Sequence, residues 1–203
     1  MSTITPRRPT RARQVSDLID PSETLYRLTV DEYERLGEHL NNKRVELIDG
    51  LLVAKMTKKP PHVVACELTR AAIDRVAPKG WHTRVGDPVR IPRHNEPEPD
   101  VALVRGQMRD YSKRHPGPRD IGMVVEVADS SLAKDRLRVR VYGGKGAIPV
   151  YWIVNLSDRQ VEVYTGPRSS GYSSRVDYAP GASIPVLIDG IVIGHIAVDD
   201  ILP

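Results

Sequence analysis

Apolar positions along this chain follow two periods, and the switches between them divide it into elements. Val45, Leu47, Leu51 and Val53 alternate around Asp49-Gly50, which predicts a β-hairpin over 44–56 with a two-residue turn. Between His62 and Val76 the spacing becomes helical, with Val64, Leu68, Ala71, Ala72 and Ile73 or Val76 on the apolar side. Pro60 and Pro61 suit the entry of that helix, and Pro78-Lys79-Gly80 its end. Upstream, Thr29 and Glu32 form a capping-box pattern ahead of a short helix over about 30–40. Strands are predicted at 81–91 and 101–104, on either side of the proline-rich 92–99, and at 121–127, whose nearly unbroken apolar run suits a central position. A second hairpin is predicted from 150–155 and 160–164 around Ser157-Asp158-Arg159, followed by short strands with Gly and Pro turns.

Two stretches resist a simple reading. Residues 105–119 are polar and aperiodic, as in a surface loop. Within 130–146, Leu137, Val139 and Val141 alternate with Arg136, Arg138 and Arg140, a strand-like pattern where a helix is expected.

Composition narrows the class. At 203 residues the chain suits one domain with short tails, and the absence of Phe leaves a core of Val, Ile, Leu and Ala, as in a sheet flanked by helices. Residues 1–20, with Arg7, Arg8, Arg11 and Arg13 among polar residues and prolines, read as a disordered basic leader, and 21–203 as a single domain. The one cysteine, Cys66, excludes an internal disulfide and a cysteine-based metal cluster, and reads as a buried spectator thiol. No signal-like run follows the leader and no segment is apolar enough to span a membrane, so a cytoplasmic location is expected. The net charge of +4 permits a polyanionic partner without requiring one.

The candidate chemistry lies in three acids at strand ends. Asp100 closes Pro97-Glu98-Pro99-Asp100 ahead of an apolar run, Glu126 interrupts Val124-Val125-Glu126-Val127, and Glu46 alternates with apolar residues in the first hairpin. An acid inside a strand-like apolar run is costly to bury unless it is paired or binds a cation. Each has a plainer alternative: Asp100 as a turn residue, Glu126 as an arginine partner, Glu46 as a solvent-facing hairpin residue. His62 could be a capping or surface histidine, and the remaining histidines show no zinc-ligand spacing.

The segments Arg44-Val45-Glu46-Leu47-Ile48-Asp49-Gly50, His62 before a helix, Pro99-Asp100-Val101, Val125 to Ser131, Asp135-Arg136 and Ile148 to Val154 occur in an order that resembles the Uma-type family of restriction-endonuclease-like proteins. That family is a branch of the PD-(D/E)XK nuclease superfamily, and the resemblance runs from about Leu28 to Pro203. It implies an α/β (α+β) fold, a restriction-endonuclease-like mixed sheet flanked by helices with extra hairpins. It also implies Mg²⁺ or Mn²⁺ as cofactor, DNA as partner and a homodimer, with exposed apolar strands such as 150–154 or 186–196 as pairing surfaces. By resemblance Asp100 and Glu126 are the metal ligands, Glu46 is the third acidic member, and His62 stands near the site.

One position departs from the pattern. The family's lysine, four residues after an aspartate like Asp135, is Val139, and the tyrosine four further on is Gly143, with Tyr142 adjacent. Arg138, Arg140 or Lys134 could supply the cation from a shifted register, with Arg138 the first candidate and Arg140 a supporting one. The basic residues of 105–119 and 134–145 are expected close to the acids, either as phosphate contacts or as a solvated loop and a polar helix face. The alternative to a metal-dependent endonuclease is a non-catalytic nucleic-acid-binding or interaction protein on the same scaffold.

Overall fold

The structure is a computed structural model describing residues 25–37, 39 and 44–203, so the leader over 1–20 lies outside the described residues. Helix α1 (Val30–Gly37) starts at the capping box: Thr29 N–H donates to the Glu32 carboxylate at 2.8 Å, and Glu32 N–H returns to Thr29 Oγ1 at 3.3 Å. Leu40, where this helix was expected to end, also lies outside the described residues. Strands β1 (Val45–Ile48) and β2 (Leu51–Ala54) form the first hairpin. Its turn residues Asp49 and Gly50 have φ of 54° and 76°, the paired positive values of a tight hairpin turn.

Helix α2 (Pro60–Val76) has its two prolines in the first turn, where the missing N–H groups cost nothing. Its buried face is Ala65, Cys66, Thr69, Ala72 and Ile73, and Val64 and Leu68, expected inside, are exposed. The small side chains at 65 and 72 let the helix sit close to the sheet, which turns the larger pair outward. Strand β3 (Trp81–Val85) is shorter than the 81–91 expected, because Gly86 at φ +64° turns the chain into an irregular segment. That segment bridges back to the first hairpin through Leu47 and Glu96.

Strands β4 (Val101–Arg105), β5 (Ile121–Ala128), β6 (Val150–Asn155), β7 (Gln160–Arg168) and β8 (Gly171–Tyr178) join β3 in a six-stranded sheet, ordered β3-β4-β5-β6-β7-β8. Only β5 and β6 run parallel. All eight residues of β5 and all six of β6 are buried, in keeping with central strands covered on both faces. The 150–154 run is therefore interior and offers no pairing surface. One face of the sheet packs Met123, Val125, Val127 and Trp152 against α2 and the β9–β10 hairpin (Ser183–Ile188, Ile191–Ala197). The other packs Val124, Ile153 and Tyr151 against Val141, Tyr142 and Ile148.

The ambiguous 130–146 stretch is helical. Helix α3 (Leu132–Leu137) leads into a π-helical turn over Arg140–Lys145, and Leu137 is exposed while Val141 is buried, so the alternation does not mark a strand face. The wide turn lets the helix pass β8: a Cβ on Gly143 would lie 2.4 Å from the Gly171 carbonyl oxygen. A tyrosine cannot occupy that position. No helix among the described residues is long and apolar enough to cross a membrane.

Candidate metal centre and active site

The antiparallel register of β4 and β5 creates the site. Val101 pairs with Val125, so Asp100, one residue before β4 proper, comes beside Glu126, one residue further along β5. Strand alternation puts Glu126 on the face of Val124 and Ala128, which α3 and the π-turn cover. The bridge between Leu47 and Glu96 holds the first hairpin against this end of the sheet, and Glu46 is buried there with only 1% of its surface exposed. The solvent-facing reading of Glu46 is thereby excluded.

Glu46, Asp100, Glu126, His62 and Arg138 all line one cleft, together with Asp129, Lys134 and Asp135 and the 55–59 connection between β2 and α2. Asp100 Oδ2 accepts the Val127 N–H at 2.9 Å and lies 3.0 Å from His62 Nε2, while Oδ1 lies 2.9 Å from Lys58 Nζ. Arg138 bridges the other two acids: one guanidinium nitrogen pairs with Glu46 Oε1, and the other lies 3.3 Å from Glu126 Oε1. The Tyr142 hydroxyl donates to the same Glu126 oxygen at 2.7 Å, and Lys134 Nζ reaches Glu46 Oε1 at 3.1 Å. Among the described residues no side chain or amide donates to Glu126 Oε2.

These surroundings drive the acids apart. Burial opposes charge on Asp100, but the His62 hydrogen bond and the charges of His62 and Lys58 outweigh it and hold the carboxyl down to about 2. Burial pushes Glu126 up to about 8 against the pull of Arg138, with the charges of Asp100, Asp135 and Glu46 adding to the rise. Burial also raises Asp135 to about 6, against the Ser131 hydrogen bond and the Arg138 charge. On Glu46 the charge and hydrogen bond of Arg138 overcome burial, and its pKa is lowered. A low and a high carboxyl side by side form a site able to take a cation in place of a proton.

Of the candidate cations, Arg138 and Lys134 both line the cleft and reach Glu46, and Arg138 also reaches Glu126. Arg138 lies four residues before Tyr142, so the two side chains share a helix face and meet at 3.4 Å. Val139 packs against the apolar layer beneath, and Arg140 is exposed and outside the cleft lining. The basic loop 105–119 also lies elsewhere, since it joins the end of β4 to the start of β5 and the acids occupy the opposite strand ends. Two of its four arginines are engaged there, Arg105 with Asp189 and Arg114 with Asp120.

Sequence reasoning missed Lys55, Lys58 and Lys59. They pair with Glu98, Asp100 and Asp129 and rim the cleft together with Lys134. The cluster Lys55, Lys58-Lys59 just ahead of the His62 helix was the available signal. Cys66 is buried as expected, but its Sγ lies 3.4 Å from His62 Nδ1, so both ring nitrogens of His62 are engaged. His62, Cys66 and Asp100 present one ligand atom each within 4.8 Å of one another.

A mixed sheet with paired acids at the ends of its central strands and a cation on the following helix defines a restriction-endonuclease-like protein. Residues 30–192 match the model of the Uma2 family, described as "Putative restriction endonuclease", and the chain belongs to that family. Among solved structures it is similar to "a putative nuclease belonging to DUF820" from Anabaena variabilis, with 16% identity and a TM-score of 0.67. The match covers 86% of this chain and 97% of that one, and establishes a shared fold. No curated protein matches.

Proposed function

We propose that this chain is a divalent-metal-dependent endonuclease that hydrolyses DNA phosphodiester bonds in the cleft around Asp100 and Glu126. The observation that carries this reading is the adjacency of the two acids at the ends of β4 and β5, with no donor to Glu126 Oε2 among the described residues and lysines lining the cleft. The donor set fits Mg²⁺ or Mn²⁺: two hard carboxylates leave room for the several waters such ions keep. When bound, the ion polarises a phosphate oxygen and lowers the pKa of a coordinated water.

The protein's own residues prepare the site for that chemistry. His62 and the Val127 amide fix the Asp100 carboxylate in orientation, and Tyr142 does the same for Glu126. Arg138 stays protonated, since the charges of Glu126 and Glu46 outweigh its burial, and places a fixed positive charge beside the acids. It neutralises charge that builds on phosphate without serving as a base. Six carboxylates line the cleft against five lysine and arginine cations and His62, so the charges balance when all are ionised. A divalent ion makes the cleft positive and attractive to phosphate.

Nicking of supercoiled plasmid in Mg²⁺ or Mn²⁺ tests the reading. Wild type should cleave only with the ion, and Asp100→Asn and Glu126→Gln should not; equal cleavage by all three would reject it. The second reading, a non-catalytic DNA-binding protein, is favoured by Val139 standing where the family's lysine is expected. Salt-sensitive binding without cleavage in either ion identifies it. A homodimer belongs to the same proposal, and Ile191 and Val192, exposed on β10, are candidates for its contact. Light scattering should give twice the 22.6 kDa chain mass.

A further inference from the structure

We propose that Lys58 is the exchangeable counter-ion of this site: its ammonium holds Asp100 Oδ1 until a divalent ion takes that oxygen, and then turns to the substrate phosphate. This rests on the metal-dependent reading above. The partners of Asp100 differ in how readily they can leave. The Val127 amide belongs to β5 and is buried, so releasing it would disturb the strand. His62 sits in the first turn of α2 with both ring nitrogens engaged and its side chain 14% exposed. Lys58 lies on the 55–59 connection, and its side chain is 30% exposed on a flexible four-carbon stem. Oδ1 is therefore the oxygen a cation can claim, and Lys58 is the partner that yields.

Coulomb repulsion favours the exchange. Two unit charges 4 Å apart repel by about 4 kcal/mol at an effective dielectric of 20, and a divalent ion doubles this, so an ammonium on the oxygen that the ion takes is driven off it. Lys55 and Lys59 pair with Glu98 and Asp129, which are not candidate ligands, and stay where they are. Of the three lysines on the 55–59 connection, Lys58 is the one both displaced by the ion and released beside it. A phosphate drawn to the ion then comes within reach of the freed ammonium, which supplies a lysine beside the acids where position 139 holds a valine.

Mn²⁺ titration calorimetry on wild type, Lys58→Met and Lys59→Met tests this, because it reads ion affinity without turnover. Removing the competing ammonium should tighten Mn²⁺ binding by about fivefold, the equivalent of a part-exposed ion pair, while Lys59→Met changes it by less than about twofold. Lys58→Gln should move affinity in the same direction as Lys58→Met. Anisotropy of a labelled DNA duplex supplies the second half: with Ca²⁺ Lys58→Met should bind about fivefold more weakly than wild type, and without divalent ion equally. Unchanged ion affinity in Lys58→Met, or equal tightening in Lys59→Met, overturns the role of Lys58 while leaving the metal reading intact. Absence of Mn²⁺ binding in all of the proteins overturns both.

Discussion

Replacing Arg138 with Met should destabilise the fold by about 3 kcal/mol at pH 8, the lower end of the range for breaking a buried ion pair from one side. The Arg138 side chain is 7% exposed and binds Glu46 and Glu126, whose side chains are 2% and 8% exposed. Methionine fills much of the same volume, so the loss is electrostatic. Glu46 retains Lys134 at 3.1 Å and the Glu98 amide at 3.4 Å, which keeps the cost from the upper end of that range. In wild type the folded pKa of Glu46 is lowered, so its stabilising contribution is present above the unfolded value of about 4.3 and disappears as pH falls through the folded pKa. Without Arg138, burial instead raises that pKa, and the ionised acid becomes a penalty that protonation relieves. Urea unfolding followed by Trp81 and Trp152 fluorescence should therefore show a gap between wild type and variant that is widest at pH 8 and narrows toward pH 4. Adding Glu46→Gln to the variant should recover part of the loss. A gap below about 1 kcal/mol, or one that does not change with pH, would refute the charge-bridge account of Arg138.

Mn²⁺ affinity should rise with pH through the neighbourhood of about 8, because Glu126 must shed a proton to act as a ligand; calorimetry giving equal affinities at acidic and alkaline pH would contradict this. Gly143→Ala should cost about 1–3 kcal/mol, since its Cβ would meet the Gly171 carbonyl, and thermal melts report it. Cys66 should resist thiol reagents in the folded protein and react fully in denaturant, because burial raises its pKa and hides the sulfur. Val139→Lys should not increase nuclease activity, as that position faces the apolar layer, whereas a gain would mean the helix register is wrong.

Where local chemistry decided the outcome, the sequence was legible. Asp49-Gly50 can form only a narrow set of turns, and Thr29 with Glu32 satisfies its own backbone donors, so both read correctly from a few residues. The acids were legible for a related reason: Glu126 inside an apolar strand and Asp100 at the mouth of another are anomalies that only a tertiary partner relieves. The 130–146 segment was not legible, because Leu137, Val139 and Val141 imitate a strand while contacts from Tyr142 and Gly143 to the rest of the fold impose a helix and a wide turn. The position of the 105–119 arginines depends on which strand end each loop joins, and Lys58 reaches Asp100 across 42 positions of sequence. Topology, rather than spacing, brings such partners together.

A crystal soaked in Mn²⁺ and measured for anomalous scattering tests the central claim most directly. The account predicts one strong peak between Asp100 Oδ1 and Glu126 Oε2, with the Lys58 ammonium turned away. A peak against His62 and Cys66 instead, or none near either carboxylate, would contradict it.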